Sequence, residues 1–346
     1  MKRTLHCVSN LAALWLVTAV VMAGMAGIVQ AEDWNAIAGA ESSNRGSQAL
    51  AFLPNELWIH SGDTIHWIFP THERHTLTFL RSGQTRPPAF APGSPFGVLI
   101  GCPGVTSDGS SFDGTTCVTS DVLLLDENTT TPPTYSVHFP SVGNFKFVCL
   151  VHADMTGVVH VLNPSEALPH DQAFYDRQAQ SEQNLVLADA SRLQGRGASP
   201  ALDHDSVAAG IGEIIKTTGG GSHTVSLMRF VRTTLVVAVG TTVEWTNLDP
   251  SINHTVTFGV EPSDPRPASA NVVLSSDGSR TAVIGSASDN VNSGFLTPAP
   301  QDRANLAQSP PAVPHFRVTF NAPGTFDYIC AIHDELGMVG TVIVHP

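Results

Sequence analysis

Cys149-Leu150-Val151-His152-Ala153-Asp154-Met155-Thr156-Gly157 lies between two runs that read as β-strands. It sets a thiolate, an imidazole and a thioether at one strand end, three side chains that together suit a soft or borderline metal ion. A second copy follows near the C-terminus, Cys330-Ala331-Ile332-His333-Asp334-Glu335-Leu336-Gly337-Met338-Val339-Gly340. Either stretch alone is only suggestive. Their recurrence, with upstream sequence that also repeats, predicts two metal domains in tandem.

Outward from these stretches the repeat continues. Tyr135-Ser136-Val137-His138-Phe139 answers Phe316-Arg317-Val318-Thr319-Phe320, and each is followed by a Pro/Gly turn, at Pro140 to Gly143 or Pro323-Gly324. Next come Phe145-Lys146-Phe147-Val148-Cys149 and Phe326-Asp327-Tyr328-Ile329-Cys330, so the interval from Tyr135 to Cys149 equals that from Phe316 to Cys330. Farther upstream, Leu57-Trp58-Ile59-His60, the turn Ser61-Gly62-Asp63 and Thr64 to Phe69 read as a hairpin. Leu235-Val236-Val237, Gly240 and Thr241 to Trp245 repeat it, which makes Trp67 and Trp245 equivalent core anchors. After each Trp stands a matching run, His75-Thr76-Leu77-Thr78-Phe79 or His254-Thr255-Val256-Thr257-Phe258, and these runs set the register of the repeat.

Each repeat thus offers an upstream His and a loop carrying Cys, His and Met. The first set is His75, Cys149, His152 and Met155; the second is His254, Cys330, His333 and Met338. A thiolate, two imidazoles in a plane and a long thioether contact let copper change oxidation state with little ligand movement. Zinc is the rival metal, but a weak Met partner suits copper better. His72 competes with His75, whose His-Thr-aliphatic-Thr-Phe context matches that of His254.

These motifs resemble the cupredoxins, the plastocyanin, pseudoazurin and amicyanin family, over nearly all of both predicted domains. The first loop is similar to the short amicyanin-type ligand loop, and the second, with more residues between His333 and Met338, to the plastocyanin and pseudoazurin type. The resemblance implies an all-β chain of two tandem Greek-key β-sandwiches with a type 1 copper ion at one end of each, two per chain. Domain 1 is expected over 32–163 and domain 2 over 207–346. Between them, 164–206 reads as a helical and flexible linker, with Asp171 capping a helix that reaches Gly195. The stretch from Gly195 to Gly221 reads as loose.

Composition sets the remaining limits. The 29 Gly and 24 Pro among 346 residues favour a turn-rich β protein. Residues 1–31 read as a signal peptide, with Lys2 and Arg3, an apolar run from Leu11 to Ile28 and small residues before Glu32. Export to the periplasm or extracellular space is the expectation, with membrane attachment only if the segment is uncleaved. Without it the chain has a formal charge of about −15, which argues against nucleic acid and favours solubility and basic redox partners. Cys102 and Cys117 share one Gly/Ser-rich loop in the long insert 81–131 and read as a disulfide. A comparable insert spans 259–312.

Val148 and Ile329 stand before the two cysteines, where copper nitrite reductases usually place a His, and no His-x-His pair occurs. The expected function is therefore electron transfer between redox partner proteins rather than catalysis. Apolar residues around the ligand loops are expected to form the docking face. The alternatives are a two-domain copper oxidase or nitrite reductase-like enzyme, and a copper-storage or structural module.

Overall fold

The structure is a computed structural model that describes residues 31–87, 89, 102, 104–197, 203–217, 221–297 and 313–346. The expected signal segment up to Gln30, Gly219-Gly220 and Pro310-Pro311 lie outside the described residues. Among those described, no helix is long and apolar enough to cross a membrane.

The first half contributes β1 (Asp33–Glu41), β2 (Ser47–Leu53), β3 (Glu56–His60), β4 (Thr64–Ile68) and β5 (Thr78–Phe79). It continues with β6 (Ser110–Ser111), β7 (Val118–Thr119), β8 (Thr134–His138), β9 (Gly143–Val148) and β10 (Thr156–Leu162). One helix, α1 (Gln172–Gly197), precedes the second half. That half begins with β11 (Ser206–Lys216), β12 (Ser222–Val231), β13 (Thr234–Ala238), β14 (Thr242–Leu248) and β15 (Thr257–Phe258). It ends with β16 (Val273–Leu274), β17 (Arg280–Ile284), β18 (Val291–Asn292), β19 (His315–Phe320), β20 (Gly324–Ile329) and β21 (Val339–His345).

Each half is a β-sandwich. In the first, β1, β2, β4, β8 and β6 form one face, and β3, β10, β9, β5 and β7 the other. In the second, β11, β12, β14, β19, β17 and β16 oppose β13, β21, β20, β15 and β18. The expected hairpin of β3 and β4 does not form: β3 runs parallel to β10, whereas β4 pairs with β1 and β8. The Ser61-Gly62-Asp63 turn instead carries the chain from one face to the other. Asp63 pins that crossing by accepting N–H bonds from Glu32 (2.8 Å), His60 (2.9 Å) and the Trp34 indole (2.9 Å). In the second half β13 pairs with β21, and β14 with β11 and β19.

Alternation along these strands sends their aromatic residues inward. Trp67, Phe79 and Phe147 pack with ring centroids 5.2–5.8 Å apart, and Trp245, Phe258 and Tyr328 repeat the cluster at 5.2–5.7 Å. Two equivalent cores result, one per sandwich.

The halves are joined by more than a linker. β12 pairs antiparallel with β2, Thr224 opposite Leu50 through Leu227 opposite Ser47, so one sheet runs through both sandwiches. α1 lies over that junction. Its N-terminus is capped by Asp171, whose carboxylate accepts the Phe174 N–H at 2.8 Å. Ala179, Val186, Ala190 and Leu193 recur at helical spacing and pack on Ala40, Ala49, Ala51 and Ala208 of the sheet. Small residues on both surfaces let helix and sheet approach closely. The segment expected to be loose after Gly195 contains β11, an interior strand between β12 and β14. Its Ala-Ala-Gly composition carries little local strand signal. The Cys102–Cys117 disulfide is formed, with Cα atoms 5.4 Å apart, while Cys149 and Cys330 are free and buried.

Where the halves meet, Ser251 Oγ donates to Asp154 at 3.1 Å, and Asp249 accepts the Ser251 and Ile252 amides at 2.9 and 3.1 Å. Burial pushes the Asp249 carboxyl up to about 6, against the pull of the Ser226 hydroxyl and those amides. Between its ordinary value of 3.8 and about 6 the folded chain holds a proton that the unfolded chain has lost. Stability from this group is therefore greatest below pH 4 and declines as pH rises to 6, by up to about 3 kcal/mol. Asp249→Asn, which keeps the amide acceptor, is expected to be more stable than wild type at pH 7–8. That gain should vanish near pH 4 in denaturant unfolding. In a separate check, denatured metal-free chain starting at Glu32 should titrate two thiols; four would mean no disulfide.

Candidate metal centres

β5 and the strand-end loop after β9 lie side by side, and this brings the upstream His to the Cys. Thr78 pairs with Val148, and Thr257 with Ile329 in the second half. The residue after each His locks the geometry. The Thr76 N–H donates to Cys149 Sγ at 3.3 Å, and the Thr76 hydroxyl accepts the Leu150 N–H at 2.7 Å. Thr255 does the same for Cys330 Sγ (3.3 Å) and the Ala331 N–H (2.7 Å). The Thr of each His-Thr run is thus the fastener between the two ligand segments.

Two buried triads result, His75/Cys149/His152 and His254/Cys330/His333, each with its donor atoms within 4.8 Å of one another. In the first, His75 Nδ1 and His152 Nδ1 are 3.1 Å apart, and Cys149 Sγ is 3.7 Å from His152 Nδ1. In the second, the two Nδ1 atoms are again 3.1 Å apart, with Cys330 Sγ 3.8 Å from His254 and 3.4 Å from His333. Donors lying about 2.0 Å (N) and 2.3 Å (S) from a common centre have edges of this length. Met155 and Met338 are fully buried in the same cores as their cysteines, and their carbonyls accept the Cys149 and Cys330 N–H at 2.9 and 3.0 Å. His72, the rival of His75, points elsewhere, its Nδ1 2.7 Å from Glu41.

Several contributors carry no obvious motif. Gly39 and Gly210 sit at bulges in β1 and β11 with φ of 85° and 78°. A Cβ there would lie 2.4 Å from His75 Nε2 or 2.1 Å from His254 Nε2. Each long insert returns to hold the upstream His, through paired amides of His75 with Leu123 and His254 with Leu296. Ser120 and Ser293 accept the Leu77 and Val256 N–H, both at 2.9 Å. The repeated Ser-x-x-Leu at 120–123 and 293–296 is the signal that could have revealed this. Arg86, also in the first insert, donates to the carbonyls of Cys149, His152 and Ala153 in the first ligand loop. Arg229 in β12 ties Leu336 of the second loop to Asn44 of the first half.

The two triads face each other across the junction. His152 and His333 are only 1% and 3% exposed, so their imidazoles are closed off from solvent. Between them lies Glu73, 3% exposed, with Oε1 3.4 Å from His152 Nε2 and Oε2 3.5 Å from His333 Nε2. Sequence reasoning missed it because it has no counterpart: Ile252 holds the equivalent place two residues before His254.

The charges follow from this sharing. Burial favours a neutral Glu73, but the His333 and His152 imidazoles outweigh it and hold the carboxyl below the usual carboxylate range. Burial likewise opposes charge on His152, yet Cys149 and Glu73 raise it to about 9. Cys149 is held well below an ordinary thiol, since His152 and His75 outweigh burial. In the second triad burial prevails, taking His333 down to about 4 and pushing Cys330 up to about 11. One carboxylate balances one imidazolium, and His152 carries it.

Residues 217–345 match the family described as copper binding proteins, plastocyanin/azurin family. No curated protein matches the chain. Among solved structures, a methionine-substituted amicyanin in its Cu(I) form is similar at 16% identity over 38% of this chain and 82% of that one, with a TM-score of 0.23. A mutant plastocyanin of fern is similar at 22% identity over 37% of this chain and 99% of that one, with a TM-score of 0.22.

Gly39→Ala should displace His75 and weaken metal binding at the first triad by about 10- to 100-fold, as loss of an outer support does. Gly210→Ala should do the same at the second. Chelator competition, run with the other triad's Cys replaced by Ser, checks each; unchanged affinity would mean the glycines are not needed there.

Proposed function

We propose that the chain, whose residues 217–345 match the copper-binding plastocyanin/azurin family, is an exported electron carrier with a type 1 copper centre in each half. The supporting observation is the near-identity of two buried His/Cys/His triads, each built on one His-Thr run and one Cys-x-x-His loop. Bound copper supplies a one-electron couple. The protein's part is to keep its surroundings unchanged as the charge alters. Cys149 and Cys330 are held by amide donors from Thr76 and Thr255, which withdraw charge from sulfur. Burial excludes water from both triads, and Arg86 and Arg229 hold the loop carbonyls in place. An N-terminal segment with export character is consistent with a carrier that works outside the cytoplasm.

Metal analysis with visible and spin-resonance spectra tests this reading. Two coppers per chain and an intense thiolate-to-copper absorption are expected. Cys149→Ser and Cys330→Ser should each remove one copper and its share of the colour. A colourless or zinc-only protein would defeat the proposal, and an additional type 2 signal with turnover would favour an enzyme.

A further inference from the structure

We propose that Glu73 bridges the two metal centres, coupling them so that an electron passes internally between the halves by way of His152 and His333. This inference rests on the copper reading above. The geometry makes a continuous path. His152 turns Nδ1 toward Cys149 and His75, and Nε2 toward Glu73 Oε1 at 3.4 Å. His333 turns Nδ1 toward Cys330 and His254, and Nε2 toward Glu73 Oε2 at 3.5 Å. Each gap is a single close contact, too short for a water molecule to lie between. Next to Glu73, Arg74 Nη1 donates to the Ile332 carbonyl at 3.4 Å, tying the same segment to the second ligand loop.

The internal repeat indicates that this carboxylate is placed for a charge role. At the equivalent position Ile252 is buried and packs with the first half's core. An apolar side chain therefore fills such a position without difficulty, whereas a buried carboxylate is costly unless compensated. Glu73 stands against one imidazole of each centre, so a change of charge at either one acts on the other through it. With copper held at both triads, the transfer would move one electron, oxidising one ion as the other is reduced, and no bond or proton would change place.

The experiment uses the full copper-loaded chain with Glu73→Gln and Glu73→Asp. Both reduction potentials are measured, together with redistribution of a substoichiometric electron pulse at several protein concentrations. In wild type, redistribution should be independent of concentration. Glu73→Gln removes the negative charge beside both centres and should raise both potentials while slowing redistribution at least tenfold. Glu73→Asp keeps the charge and lengthens the gaps, so it should slow redistribution with smaller changes in potential. In metal-free protein, Glu73→Gln should shift the imidazole nitrogen resonances of both His152 and His333. A change confined to one centre, or redistribution within twofold of wild type in both variants with intact blue spectra, overturns the inference alone. A wild-type chain that takes up no copper overturns it together with the functional reading. Should Glu73→Gln fail to load copper, the Glu73→Asp rate decides.

Discussion

A carboxylate enclosed between two imidazoles from opposite halves is the constraint on which the rest of the molecule depends. Glu73 is buried, and a buried charge persists only where fixed partners replace water. Its partners, His152 and His333, come from loops on two separate sandwiches, so the sandwiches must be docked firmly to keep both beside it. The β2–β12 ladder supplies that firmness through backbone hydrogen bonds, and α1 reinforces it by covering the seam with small apolar contacts. Arg229 and Arg74 add bonds between the ligand loop of the second half and the chain of the first. Docking, charge and metal geometry are therefore parts of one arrangement.

Within a strongly repeated architecture, the differences fall at the junction. Both triads use the same His-Thr fastener, the same bulge glycine beneath the upstream His and the same Ser-x-x-Leu return from the insert. The ligand loops differ in length, and they are restrained differently, by an insert Arg in one half and by a strand Arg in the other. Glu73 and Ile252 complete the asymmetry. One position serves charge and the other packing, so the Cys149 thiol is pulled down and His152 raised in the first triad, whereas burial pushes Cys330 up and His333 down in the second.

Much of this was legible in residue order. The His-Thr-aliphatic-Thr-Phe runs and the Cys-x-x-His loops identify all six triad residues, because a strand end and its following loop impose their own local spacing. Trp67 and Trp245 could be recognised as buried for the same reason. The hairpin reading of Leu57 to Phe69 failed because alternation reports which side chains face inward, not which strand supplies the hydrogen bonds. β1, β2 and β11 escaped notice because they are rich in Ala and Gly, residues chosen for close approach of a helix and of imidazoles rather than for strand propensity.

By itself, then, the sequence determined two β-rich repeats, each with a His/Cys/His set and a nearby Met, since those depend on local periodicity and on spacing within a loop. Only the tertiary structure decided that the two sets face each other, that one sheet and one helix unite the halves, and that Glu73 stands between His152 and His333. Those features arise from contacts between residues far apart in the chain, such as Ser47 with Leu227 and Glu73 with His333. No local pattern encodes such contacts. They follow from which edges and surfaces remain to be buried once each sandwich has closed.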